Sequence, residues 1–148
     1  MRRVFTMIAV IVLAGCGSSS GPDPSTWVGT WSVQVTNGSG WHVNPLQSHI
    51  TLLDSANYIW ATVPAVSVTD DNNTDPVNFS QFTGVRNYAV TADSVWLGVS
   101  GQGTNSGLTY YLLIKGTRAG TSAAGSLTLD LQGGGGSSVV ATWTAAKQ

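Results

Sequence analysis

The chain has 148 residues, of which only 9% are charged, and its formal net charge is −1 at pH 7. It contains one cysteine, two histidines and no glutamate. The single cysteine excludes an intramolecular disulfide, and the shortage of acid, base and nucleophile side chains argues against an enzyme. With 6 Lys and Arg in all, the chain lacks a basic surface that could neutralise phosphates, so we expect no nucleic-acid partner.

The first residues have the pattern of a secretory signal. Two arginines follow Met1, an apolar run extends from Val4 to Leu13, and small residues come next. This run is about half the length of the roughly 20 helical residues that cross a bilayer core. The pattern therefore predicts an exported protein and not a transmembrane helix.

Leu13-Ala14-Gly15-Cys16 resembles the lipobox of bacterial lipoproteins, which is cleaved before its cysteine. The resemblance implies a signal peptide at residues 1–15 and a lipidated N-terminal Cys16, whose acyl chains, such as palmitate, anchor the protein to a membrane of the cell envelope. Gly17 stands where an Asp favours retention in the inner membrane. In a Gram-negative host the resemblance therefore favours the outer membrane.

The rest of the chain divides into a tether and one domain. Residues 16–26 are rich in Gly, Ser and Pro, which predicts a flexible tether after the lipidated cysteine. Residues 27–148 are long enough for a single domain. Without the signal, 4 basic residues stand against 7 acidic ones, so the mature chain has a net charge of about −3.

From Trp27 onward the pattern is that of β-strands. Apolar and polar residues alternate from Trp27 to Thr36, and Asn37–Gly40 predicts a turn. Further strands are predicted at Gln47–Leu53, Tyr58–Thr69 with a bend at Pro64, Val77–Phe82, Arg86–Thr91, Val95–Ser100, Leu108–Lys115, Gly125–Gln132 and Val139–Ala145. This pattern predicts an all-β fold, a small antiparallel up-and-down barrel of about eight strands, with a β-sandwich as the alternative.

The last four predicted strands share one apolar face. If their hairpin loops are symmetric, Leu97 lies opposite Tyr110, Leu112 opposite Leu127, and Leu127 opposite Trp143. Sequential strands with one common face are typical of an up-and-down sheet. Closure of such a sheet into a barrel would remove its exposed edges.

Two tryptophan motifs resemble those of the lipocalin-like (calycin) barrels, a group that includes the avidins. Gly29-Thr30-Trp31 is similar to the lipocalin Gly-x-Trp at the start of the first strand, and Ala141-Thr142-Trp143-Thr144 lies in the last strand. The lipocalins' Thr-Asp-Tyr element and the Arg of their last strand are absent. The resemblance implies a fold, and a fold does not give a function. The alternation of the strands separately places Trp31 and Trp143 in the inward phase.

The two histidines do not form a recognisable site. His49 lies in the polar phase of its strand with Gln47, and His42 sits beside Trp41 just after a turn. Two histidines without a placed carboxylate do not make a zinc site. We therefore expect solvated histidines, no catalytic residue and no cofactor.

The polar stretch from Asp70 to Asp75 offers oxygen atoms to a cation. Asp71, Asn73 and Asp75 have the spacing of the first ligands of a calcium loop. Pro76 and Phe82, however, stand where that loop needs Gly and a bidentate Glu. We therefore expect a solvated loop and no metal.

Trp96 and Tyr111 are the candidate binding surface. Both lie in the outward phase, and the symmetric hairpin places them directly across from each other. Exposed aromatic rings suggest a contact surface, such as a flat platform for a sugar ring or a partner's apolar side chain. The alternative is that the pair only stabilises its hairpin.

These features predict a lipid-anchored, non-catalytic module of the cell envelope that binds a small ligand or a partner protein. The alternative is a purely structural envelope lipoprotein with a filled barrel. An eight-stranded barrel is just wide enough for its own side chains or one small ligand, so the size of the inward residues separates the two. Trp, Tyr and Leu predominate at the inward positions, which argues against a large cavity.

Cys16→Ser is expected to block lipid attachment, because the thiol sulfur is the acceptor and a hydroxyl does not replace it in this chemistry. Detergent partitioning and the mass of the mature protein measure the effect. The lipobox interpretation is wrong if the variant still partitions with membranes at the mass of a cleaved, lipidated chain.

Overall fold

A computed structural model describes residues 24–55, 58–80, 82–83, 86–90 and 93–148. This part of the chain contains a short 3-10 helix, Pro24–Trp27, which begins within the expected tether, and 12 strands in one sheet. The strands are β1 (Gly29–Asn37), β2 (Trp41–Asn44), β3 (Gln47–Ser55), β4 (Tyr58–Val63), β5 (Val66–Asp70), β6 (Val77–Phe79), β7 (Phe82–Thr83), β8 (Arg86–Val90), β9 (Ser94–Gly103), β10 (Thr109–Ala119), β11 (Ser122–Leu131) and β12 (Ser137–Lys147). The predicted all-β antiparallel fold is confirmed as a single, strongly curled sheet.

The sheet curls strongly, in the manner of a half-barrel. Its neighbours run in the order β9-β10-β11-β12-β1-β3-β4-β7. β8 begins shortly after β7 in the chain and pairs with β9 at the other end of this path. Two successive strands therefore pair with opposite ends of the path, and the sheet curls around an interior.

Three short strands depart from the predicted up-and-down order. β2, which was not predicted, pairs with β5, β5 with β6, and β6 with the end of β9. The predicted strand Tyr58–Thr69 is divided at Pro64 into β4 and β5, which pair with β3 and β2 respectively. Proline has no N–H to donate to a ladder, so the chain changes partner there.

The predicted registers were wrong, although the predicted faces were right. Leu97 lies opposite Ile114, not Tyr110. β9 continues to Gly103 and β10 begins at Thr109, so the loop between them is shorter and lies further along the chain than the symmetric loop that we expected. The shift is an even number of residues, and every side chain therefore keeps its face.

The next two hairpins are also shifted. Leu127 lies opposite Ile114 and Ala141, not opposite Leu112 and Trp143. β10 and β11 remain paired almost to their tip, where Ala119 faces Ser122. Up to Leu127 the shifts are again even, so the apolar face is kept. A bulge between Leu127 and Thr128 then changes the β11–β12 register by one residue, and there Val139 is exposed while Val140 and Ala141 are both buried.

The inward face packs into one apolar core. Among the described residues no polar or charged residue is buried. Trp31 is 2% exposed and Trp143 6% exposed, which confirms that both point inward. Trp27, from the 3-10 helix, is 2% exposed, and its ring centroid lies 5.5 Å from that of Trp31.

The two ends of the domain meet at Trp31. Its indole Nε1 donates to the carbonyl of Trp27 at 2.8 Å. Lys147, opposite Trp31 in the β1–β12 ladder, places its Nζ 5.8 Å from the Trp31 ring centroid and donates to the carbonyl of Thr26 at 3.2 Å. Gly29 has φ +129°, a backbone conformation that residues with a side chain rarely adopt, so glycine suits the start of β1.

Trp31→Ala is expected to lower the free energy of unfolding by about 3–5 kcal/mol, because the substitution leaves a cavity under the helix and removes the contacts of a buried indole. Chemical denaturation measures the loss. The control is Val139→Ala, whose side chain is 59% exposed and whose replacement should cost about 0.5 kcal/mol or less. Equal losses in the two variants would contradict the placement of Trp31 in the core.

Candidate binding cavity

The interior of the curled sheet is not completely filled. A cavity of about 80 Å³ lies among side chains from the 3-10 helix and from β1–β6 and β9–β12. Ser48 and the three tryptophans Trp27, Trp31 and Trp143 are its lining residues with polar atoms in their side chains, and its other lining residues are Val, Ile, Leu, Ala, Pro and Phe. This surface suits an apolar molecule.

Trp143 lies midway along the interior. The ladders place it between Val35 on β1 and Gly125 on β11, and Gly125 in turn pairs with Gly116 on β10. A Cβ at Gly116 would overlap the Cζ2 and Cη2 atoms of the indole. Gly116 therefore leaves the space that the Trp143 ring occupies, whereas Gly125 allows the backbones of β10 and β11 to approach each other, since a Cβ there would overlap Lys115 and Gly116.

The indole N–H of Trp143 has no hydrogen-bond partner. Its Nε1 is buried, whereas the Nε1 of Trp31, which also lines the cavity, donates to Trp27. An unpaired buried donor costs about 1–3 kcal/mol relative to a satisfied one. The cavity wall thus carries one satisfied and one unsatisfied indole.

The predicted candidate surface residues are not neighbours. Trp96 is 38% exposed and pairs with Lys115, whose Nζ lies 4.5 Å from the indole centroid. Tyr111 pairs with Ser100, so the prediction that it faces Trp96 was wrong. Both rings belong to the outer phase, but four residues of strand separate them, about 13 Å at 3.3 Å per residue. They do not form one platform, and a binding role for either remains a prediction.

The other candidate residues of the sequence are scattered. Cys16 lies outside the described residues. His42 Nε2 is 2.9 Å from Asp71 Oδ1 in an exposed contact, and His49 is exposed on β3. Within the described ranges, no cluster of three or more His, Cys, Asp or Glu could hold a metal ion, and no helix is long and apolar enough to span a membrane.

Asp75 connects the loop before β6 to the loop between β9 and β10 and to Tyr110 on β10. Its Oδ1 accepts the backbone N–H groups of Asn105 at 2.8 Å and Ser106 at 3.2 Å. Its Oδ2 accepts the Ser106 hydroxyl and, at 3.2 Å, the Tyr110 hydroxyl. Sequence reasoning missed this cluster because its partners lie about thirty residues away across the sheet and carry no local motif.

These bonds change the acidity of both groups. The hydrogen bond from the Ser106 side chain, followed by the Asn105 backbone N–H, lowers the pKa of Asp75 below its ordinary value of 3.8. Burial, followed by the charge of Asp75, raises the pKa of Tyr110 above 10.0. The arrangement holds an ionised carboxylate against a protonated phenol.

Comparisons with protein-family models, with curated proteins and with solved structures find no match for this chain. The cavity has an almost entirely apolar wall and a volume suited to a small molecule, and one of its lining residues, Trp143, has a buried indole N–H without a partner.

Asp75→Asn is expected to lower the melting temperature at neutral pH, because the amide accepts the loop hydrogen bonds less strongly than the carboxylate. The folded-state pKa of Asp75 is depressed, so its stabilisation is fully present above the unfolded value of 3.8 and is lost as pH falls through the folded value. Melting curves from neutral to strongly acidic pH should show the gap between wild type and variant closing below that value. Asp130→Asn on β11 is the control, and a gap independent of pH would contradict the role of Asp75.

Proposed function

We propose that this protein is a lipid-tethered, non-catalytic binding module of the cell envelope that takes a small, mainly apolar ligand inside its curled sheet. The lipobox ending at Cys16 and the tether up to Thr26 support the envelope location, as does the secretory pattern before them. Following the lipoprotein resemblance, we propose the outer membrane if the host is Gram-negative. The lack of acid–base residue sets supports binding without turnover.

The apolar cavity is the observation that carries this proposal. Its volume of about 80 Å³ is roughly half that of an apolar cavity of about 150 Å³ that binds benzene, so it suits a ligand of roughly three to five heavy atoms. Most of its wall is hydrocarbon, which favours transfer of apolar groups from water. The cavity supports a small ligand more directly than a protein partner, because it lies inside the sheet.

The small volume of the cavity also supports a second function. The cavity is small beside the 300–1,000 Å³ that is typical of pockets for larger ligands. Trp143 and Trp31 are both buried beside it, 6% and 2% exposed. This favours the alternative of a structural envelope lipoprotein with a filled interior, which binding measurements separate from the first.

Ala123→Leu is expected to abolish binding of a small apolar probe such as xenon, because Ala123 lines the cavity and the larger side chain fills it. Xenon binding is measured by ¹²⁹Xe NMR on the full chain carrying Cys16→Ser, so that no lipid competes for the gas. Overpacking is expected to cost about 1–3 kcal/mol of stability, which thermal melts monitor.

Ala124→Leu is the matched control, because Ala124 is the next residue of β11 and is exposed. This variant should bind xenon as the parent chain does. Absence of xenon binding in the parent chain would favour the structural alternative, and equal binding in both variants would place the site outside the cavity.

A further inference from the structure

One buried polar atom of the described chain stands apart from the rest. Among the described residues, Trp143 Nε1 is the buried side-chain nitrogen or oxygen that lacks a hydrogen-bond partner. The large majority of buried polar atoms in folded proteins are bonded, and each exception asks for an explanation. A residue on a cavity wall offers one, since a ligand can supply the missing acceptor.

Trp31 provides an internal comparison. It has the same chemical group, faces the same cavity and is buried to a similar degree. The fold gives Trp31 an acceptor, the carbonyl of Trp27 at 2.8 Å. Trp143 has none, so the difference lies in what surrounds the two rings and not in their chemistry.

The surroundings of Trp143 hold its ring in place without satisfying its nitrogen. Gly116 lies against the six-membered ring, and Gly125 is its partner in the ladder. On the other side Trp143 pairs with Val35, which also lines the cavity. The Trp143 N–H is held on a paired strand in apolar surroundings. A hydrogen bond to an acceptor there is stronger than in water, because the local dielectric constant is low and no water competes for the donor.

We propose that the ligand of this cavity is a small, neutral molecule with a single hydrogen-bond acceptor, such as a ketone, ester or ether oxygen, and that the indole N–H of Trp143 donates to it. This inference rests on the proposed function. The ligand is neutral because the cavity wall has no charged side chain to pair with an ion. Since Nε1 is buried, the acceptor reaches it by displacing apolar side chains beside the ring.

Two probes of the same shape test the proposal. Butanone and 2-methyl-1-butene differ only in that a C=O replaces a C=CH₂, so both fit the cavity and one carries the acceptor. Their affinities are measured by NMR titration of the full chain carrying Cys16→Ser, with and without Trp143→Phe. Trp143→Phe should weaken butanone about three- to tenfold more than it weakens 2-methyl-1-butene, the range of a single neutral hydrogen bond.

The indole N–H signals give a second readout that needs no stable Trp143 variant. With ¹⁵N-labelled tryptophan, the Trp143 N–H resonance, assigned through its contacts with Gly116, should move downfield on addition of butanone and stay in place with 2-methyl-1-butene. The Trp31 N–H is the matched control, because its proton is already donated to Trp27, and it should move with neither probe.

The outcomes separate this inference from the proposed function. If both probes bind but the Trp143 N–H does not respond to butanone, the acceptor is not held there and the inference is overturned, while binding in the cavity stands. If neither probe binds, the proposed function and the inference fail together. A Trp143-specific downfield shift with butanone supports both.

Discussion

The pairing of the first strand with the last is the constraint on which the rest of the structure depends. β1 is bonded to β12 on one side and to β3 on the other, so it joins the C-terminal hairpins to the N-terminal half of the sheet. At this junction Trp31 donates to Trp27, and Lys147 covers the Trp31 ring. Contacts between residues so distant in sequence are costly in chain entropy, and burial of two indoles helps to offset that cost. The interior exists because this junction keeps the sheet curled.

The fold class and the faces of the strands could be predicted because a strand has a period of two. Alternation in the chain assigns Leu97 and Leu112 to the interior whatever strand lies beside them. Register has no such local signature. Leu97 could be paired with Tyr110 or Ile114 without changing its face, and the choice depends on where each strand ends. β2 escaped prediction for the same reason, since it is four residues long and gains its partner from β5, far along the chain.

Part of the candidate site could be read from the sequence. The inward phases of Trp31 and Trp143 follow from alternation, and the structure bears them out. The cavity does not follow from alternation, because its volume depends on which small residues meet across strands. Gly116 and Gly125 are unremarkable in the sequence, and their significance appears only when Gly125 pairs with Trp143 in the ladder and Gly116 lies against its ring. An unpaired N–H is harder still to predict, because it depends on the positions of all the possible acceptors around it.

Several departures from good core packing coincide beside Trp143. Glycines in neighbouring strands forgo side-chain packing, the Trp143 N–H forgoes a partner, and a void remains beside them. Each feature reduces stability, and a phenylalanine at this position would occupy the core without burying a donor. Departures from local rules that coincide in space are typical of functional sites, where the fold gives up stability for interaction with another molecule. The coincidence at Trp143 therefore points to a ligand more strongly than the cavity volume does alone.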